Sequence, residues 1–233
     1  MRLGGVLFDK DGTLIDFNAT WLPAYHAAAK KIAELANDPD IALTLMHQGG
    51  WNESNQSWQT DAVLAAAGND EILDLWYAIA PVMDRVDFDN LVLNLFHDHA
   101  GASPVPFDGI NSLFNYLSSQ GYLLGIATND AERTARATAE LLDINQHTTF
   151  IAGADSGFGA KPSTGMLDAF CRHGMINPED VVVIGDSPHD LAMGRVGGAG
   201  LVVGVLSGAH GIEELEPLAD CIISDATRLR DFL

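Results

Sequence analysis

The sequence predicts an α/β protein: a doubly wound, Rossmann-like parallel sheet with an all-helical segment inserted near its start. Three observations predict it. Short apolar runs end abruptly in polar clusters, as buried strands do where they open into loops. Helix-period patterns fill the intervals between those runs. One long stretch, Phe17 to Ser103, carries helical periodicity and no convincing β run.

The first strand is Val6 to Phe8, closed by Asp9-Lys10-Asp11-Gly12-Thr13. The insertion follows, with helical patterns at Ala24 to Leu35, Ile41 to Met46, Ala62 to Ala67, Ile72 to Met83 and Leu91 to His99. It ends at Pro104-Val105-Pro106, a stiff connector. The alternation then resumes with a helix over Ile110 to Gln120, a strand over Tyr122 to Ala127 and the cluster Thr128-Asn129-Asp130. A helix over Ala131 to Leu142, a short run at Phe150-Ile151 and a Gly-rich loop lead to Lys161-Pro162 and a helix over Thr164 to His173. Val181 to Ile184 is the next strand, followed by Gly185-Asp186-Ser187 and a helix from Pro188 to Val196. Leu201 to Val203 and Cys221 to Ile223 complete the sheet. Residues 1–16 and 104–233 are thus predicted to form an α/β core, and 17–103 a helical insertion.

The chain has 233 residues, 47 % of them hydrophobic and 19 % charged, enough to bury a core without disulfides and unlike a disordered or fibrous composition. Twelve basic against 32 acidic residues leave a net charge of -20. Such a field repels phosphate backbones and anionic membranes, so nucleic acid and membrane are excluded as partners. An anionic substrate then has to be met by local positive charge or a cation. Cys171 and Cys221 make no disulfide framework, the N-terminal apolar run is too short for a signal peptide, and no stretch nears a membrane span. A cytoplasmic protein, monomer or homodimer, is expected.

In an open parallel sheet, ligands collect beyond the carboxyl ends of the strands, so the polar clusters should converge there. Asp9 and Asp11, two apart, face one side of an extended strand end. With Asp186 and Asp190 they make an oxygen-rich pocket suited to a hard divalent ion, above all Mg2+, and a metal there turns the site into an acceptor for phosphate. Gly12 lets the backbone approach a bound group closely. Thr128 sits at a strand end, and Asn129-Asp130 are placed to cap a helix whose N-terminus favours anions. Lys161, one of few cations, is placed to neutralise a phosphoryl group.

These four clusters, Asp9 to Leu14, Thr128-Asn129, Lys161-Pro162 and Gly185 to Asp190, stand in the order of the motifs of the haloacid dehalogenase superfamily. The chain resembles its phosphatases, in particular the phosphoglycolate phosphatase-like branch with a helical cap. The resemblance implies a phosphatase of small phosphorylated metabolites. Asp9 would be the nucleophile that forms an aspartyl-phosphate, and Asp11 the acid-base residue. Thr128, Asn129 and the Gly12 loop would bind the phosphoryl group, with Lys161 balancing its charge. Asp9, Asp186 and the Asp11 carbonyl would hold Mg2+, and Asp190 would orient Lys161 or a water on the metal. A phosphomutase of the same family and a non-catalytic phosphate-binding protein are the competing readings.

Asp130 departs from the Lys or Gly that members acting on small phosphorylated acids often carry; its charge beside the pocket, with an acidic insertion, counts against phosphoglycolate itself, and a sugar phosphate or other polyol ester is expected at least as much. In the insertion, the Gly-flexed segment His47 to Trp51, whose aromatic reads as exposed, is a helix connection or a substrate-selecting loop. Trp58 and Arg85 read as core or surface residues. His97 and His99 carry no metal pattern, since helical residues two apart do not share a face, and His189 reads as a loop residue.

Overall fold

The computed structural model describes residues 3–59, 62–101 and 103–233. Met1, Arg2, Thr60, Asp61 and Ala102, which fall inside the predicted core and insertion, lie outside the described residues. The chain separates into two compact units, Met1–Asn18 with Val105–Leu233, and Ala19–Pro104.

The first unit is built on six strands: β1 (Gly5–Phe8), β4 (Leu123–Ala127), β5 (Thr148–Ala152), β6 (Val181–Gly185), β7 (Leu201–Val205) and β8 (Cys221–Ile223), numbered to leave β2 and β3 for the insertion. All pair in parallel in the order β5-β4-β1-β6-β7-β8. Both faces are covered, so the strands read as apolar runs without polar alternation. Their period of two still sorts the side chains. Val6, Phe8, Val182 and Ile184 enter one core, with Phe114 and Leu117 of helix α6 (Ile110–Ser119) and Ala135 and Ala139 of α7 (Glu132–Leu141). Leu7, Val181 and Val183 enter the opposite core, with Met166 and Phe170 of α8 (Gly165–Gly174) and Met193 of α9 (Pro188–Gly197). A short helix, α10 (Ile212–Leu215), packs Leu215 against Val202 of β7 and Leu191 of α9.

Strand order reverses at β1, whose neighbours are β4 and β6. The carboxyl ends of these three strands form the crevice where open α/β sheets bind ligands.

The second unit contains most of α1 (Phe17–Ala36), then α2 (Asp40–Gln48), α3 (Val63–Ala66), α4 (Asn69–Ile79) and α5 (Arg85–Phe96). Trp21, Tyr25, Trp76 and Phe96 make an aromatic core with ring centroids 5.3 to 6.4 Å apart. Two features depart from the sequence reading. The insertion is not wholly helical: Gly49 and Gly50 release the chain from α2 into an antiparallel hairpin of β2 (Trp51–Asn52) and β3 (Ser57–Trp58). Trp51, which reads as exposed in sequence, is buried and packs on Trp58 at 4.8 Å. Helical periodicity does not register strands of two residues. Among the described residues, no helix is long and apolar enough to cross a membrane.

Phe170 is fully buried, and its ring lies where a Cβ on Gly125 would sit 2.8 Å away. Phe170→Ala is therefore expected to cost about 3 to 5 kcal/mol, read as a lower urea midpoint with an unchanged m-value.

Candidate active site

Asp9 ends β1, and its amide donates to the Ile184 carbonyl on β6 at 2.8 Å, so backbone pairing fixes where the side chain starts. Lys161 reaches the same place from the loop after β5. Its Nζ donates to Asp9 Oδ1 at 2.6 Å, to the Ala127 carbonyl at the end of β4 at 2.9 Å, and to Asp190 Oδ1 at 2.5 Å. One buried ammonium thus joins the ends of β1 and β4 to the first turn of α9. Burial disfavours that ammonium, but Asp190 and Asp9 outweigh it and hold its proton above the ordinary lysine range.

Asp190 is placed by a capping box. Ser187 at the N-cap accepts from the Asp190 amide, while Asp190 Oδ2 accepts from the Ser187 amide at 3.0 Å and from Ser187 Oγ at 2.6 Å. Both of its oxygens therefore have partners. Asp186 follows β6, and its Oδ2 accepts from the Ala209 amide at 3.0 Å. That contact comes from the loop after β7, where a Cβ on Gly208 would fall 1.8 Å from the same oxygen. Ser207 Oγ donates to the Gly12 carbonyl at 2.7 Å. Gly12 itself has φ +77, and a Cβ there would lie 2.5 Å from Asp186 Oδ2. Glycine at both positions lets the two loops close around one carboxylate.

Asp9, Asp186 and Asp190 offer oxygens within 4.8 Å of one another, all buried. Asp9 Oδ2 is buried with no hydrogen-bond partner among the described residues. Burial, then the charge of Asp190, pushes the Asp9 carboxyl up to about 7 against the pull of Lys161. Burial, then Asp9 and Asp190, holds Asp186 well above the usual carboxylate range. An orphaned oxygen among crowded carboxylates is what a hard divalent cation would relieve, so the donor set fits Mg2+.

Thr128 and Asn129 lie where sequence places them, at the end of β4, but their polar atoms are already engaged. Thr128 Oγ1 accepts from the Asp130 amide at 3.0 Å and lies 3.5 Å from Asp11 Oδ2. The Asn129 side chain brackets the Lys161 backbone, accepting from its amide at 2.8 Å and donating to its carbonyl at 3.1 Å. Asp130 is not a bare charge beside the pocket. The buried Lys10 ammonium pairs with it at 3.1 Å and with Asp11 at 2.8 Å. Sequence reading passed over Lys10 although it stands inside the first motif, and also over the Ser207 to His210 loop, whose only signal is its small residues after a strand. His210 is buried there, and burial pulls its pKa down against Glu214 and Asp190. In the insertion, Arg85 is held by Asp74 and Asp89, each at 2.7 Å.

A family model described as haloacid dehalogenase-like hydrolase matches residues 3–198. The phosphoglycolate phosphatase of Chromobacterium violaceum is 25 % identical over the whole of this chain and 97 % of its own length. The N-acetylmuramic acid 6-phosphate phosphatase of Pseudomonas aeruginosa is 26 % identical over 85 % of this chain and 80 % of its own. Among solved structures, a predicted phosphoglycolate phosphatase from Haemophilus somnus superposes with a TM-score of 0.74 at 18 % identity, covering 100 % of this chain and 98 % of that one.

The raised Asp9 carboxyl has a measurable consequence. Folded, it keeps its proton up to about pH 7, whereas an ordinary carboxyl releases it near 3.8. In EDTA, the protein is therefore expected to lose stability as pH rises through that interval, with Asp9 alone contributing at most about 1.4 kcal/mol per pH unit. Asp9→Asn makes this slope shallower, leaving what Asp186 contributes. Urea midpoints of both proteins from pH 4 to 8 check it; parallel curves would refute it.

Proposed function

The chain belongs to the haloacid dehalogenase-like hydrolase family, and on that premise we propose that it is a Mg2+-dependent phosphomonoesterase of small phosphorylated metabolites. The observation that carries this reading is the meeting of Asp9 with Lys161 and the carboxylates of Asp186 and Asp190 at the ends of adjacent strands. Asp9, Asp186 and the Asp11 carbonyl are the groups we assign to the ion. When bound, Mg2+ neutralises charge on carboxylate and phosphoryl oxygens alike.

A carboxylate oxygen of Asp9 attacks phosphorus, and the bond to the ester oxygen breaks. Asp11, two residues on, gives a proton to the departing alkoxide. It then takes a proton from water, whose oxygen attacks the aspartyl-phosphate and releases inorganic phosphate and free Asp9. Lys161 stays protonated throughout and offsets the charge that gathers around the phosphoryl group. Asn129 serves this by fixing the Lys161 backbone, and Asp190 by fixing its ammonium. Thr128 and the Gly12 turn are the remaining contacts we assign to the phosphoryl group.

The similar proteins are named for a phosphorylated small acid and a phosphorylated sugar acid. The Lys10 ion pair offsets Asp130, which removes the charge objection to such substrates, and a small phosphomonoester that itself carries a carboxylate is the class we favour.

The test is phosphate release from phosphoglycolate, sugar phosphates, sugar-acid phosphates and nucleoside monophosphates, with Mg2+ and with EDTA. Release should be selective and metal-dependent. Asp9→Asn should abolish it, and Asp11→Asn should lower kcat about 10^2- to 10^4-fold. Wild-type turnover by Asp9→Asn overturns the mechanism, and transfer to a sugar in excess of release to water would make the chain a mutase.

A further inference from the structure

The sequence holds four lysines, Lys10, Lys30, Lys31 and Lys161. Two of them are buried, Lys10 at 1 % exposure and Lys161 at 6 %. The mechanism uses Lys161 and leaves Lys10 without a task.

Lys10 Nζ lies 2.8 Å from both carboxylate oxygens of Asp11 and 3.1 Å from Asp130 Oδ2. Asp130 is itself anchored: its Oδ1 accepts from the Ala131 amide at 2.6 Å, and its own amide donates to Thr128 Oγ1 at 3.0 Å. Thr128 Oγ1 in turn lies 3.5 Å from Asp11 Oδ2. Lys10, Asp11, Thr128 and Asp130 thus close a ring of polar contacts whose fixed member is the turn leading into α7.

An apolar side chain at position 10 would fill the same volume without burying a charge, and replacing buried ion pairs by packed hydrophobic residues is often neutral or stabilising. Stability alone therefore does not call for a lysine here. A cation does something a methionine does not: it fixes the carboxylate beside it. Asp11 is less buried than its neighbours, with 17 % of its side chain exposed, and so has more freedom to lose.

We propose that Lys10, held in place by Asp130, is a positioning residue that fixes the acid-base carboxylate of Asp11. This rests on the role given to Asp11 above. Through Lys10, the departure at Asp130 becomes part of the acid-base apparatus.

A proton from Asp11 matters when the leaving group is an alkoxide and matters little for p-nitrophenolate, which departs without one. The constant kcat/KM covers phosphoryl transfer to Asp9, the step in which the leaving group departs. The experiment measures it for the best alkyl phosphomonoester of the panel and for p-nitrophenyl phosphate, in the wild type, Asp11→Asn, Lys10→Met and Lys10→Met/Asp130→Leu. The double variant removes both buried charges, so it remains informative where the single one folds poorly. Lys10→Met and the double variant are expected to lose about tenfold more on the alkyl ester than on the aryl ester, with Asp11→Asn showing the same bias more strongly. Equal losses on the two esters in a folded Lys10 variant overturn the inference, and absence of the bias in Asp11→Asn overturns the reading of Asp11 itself.

Discussion

Three carboxylates brought to adjacent strand ends repel one another, and the contact that allows them to coexist is the ammonium of Lys161 between Asp9 and Asp190. Much of the surrounding structure serves that contact. Asn129 grips the Lys161 backbone from the end of β4, the Ser187 capping box holds Asp190, and β1 pairing with β6 sets the origin of Asp9. Removing the lysine would leave two buried carboxylates face to face, an arrangement far costlier than the lost hydrogen bonds. The pair is therefore as much a condition of the fold at this point as it is of the proposed chemistry.

A monovalent ammonium does not balance the whole cluster. Among the described residues, Asp186 is held by the Ala209 amide but has no lysine, and Asp9 Oδ2 has no hydrogen bond. The unmet demand faces one point, which is why the donor set suits a divalent ion. The two glycines that close around Asp186, Gly12 and Gly208, shape the backbone on either side of that point, and a methyl group at either would strike its carboxylate.

The charge distribution has a local logic within a chain of net charge -20. A protein with so few cations places two of four lysines in the interior of one site. Each is shared between two acidic side chains, Lys161 between Asp9 and Asp190, Lys10 between Asp11 and Asp130. In each case the acidic pair outweighs the burial that would otherwise favour the neutral amine. Two ammoniums against the carboxylates of Asp9, Asp11, Asp130, Asp186 and Asp190 leave the site itself net negative, the balance that a bound cation would offset.

The sequence by itself determined the sheet, because strands buried on both faces must be apolar, and it determined which strand ends bear chemistry, because Asp9, Thr128 and Asp186 interrupt those runs abruptly. It also placed the start of α9, since a helical pattern from Pro188 follows Gly185-Asp186-Ser187 directly. Tertiary structure alone decided the partners. That Asn129 would hold the Lys161 backbone, that Lys10 would answer Asp130, and that Ala209 would reach Asp186 are contacts between segments from 23 to 120 residues apart. Periodicity carries no information about them, because it records which face a side chain leaves from and not what meets it. The Trp51 hairpin escaped for the opposite reason: two residues per strand are too few for any period to register.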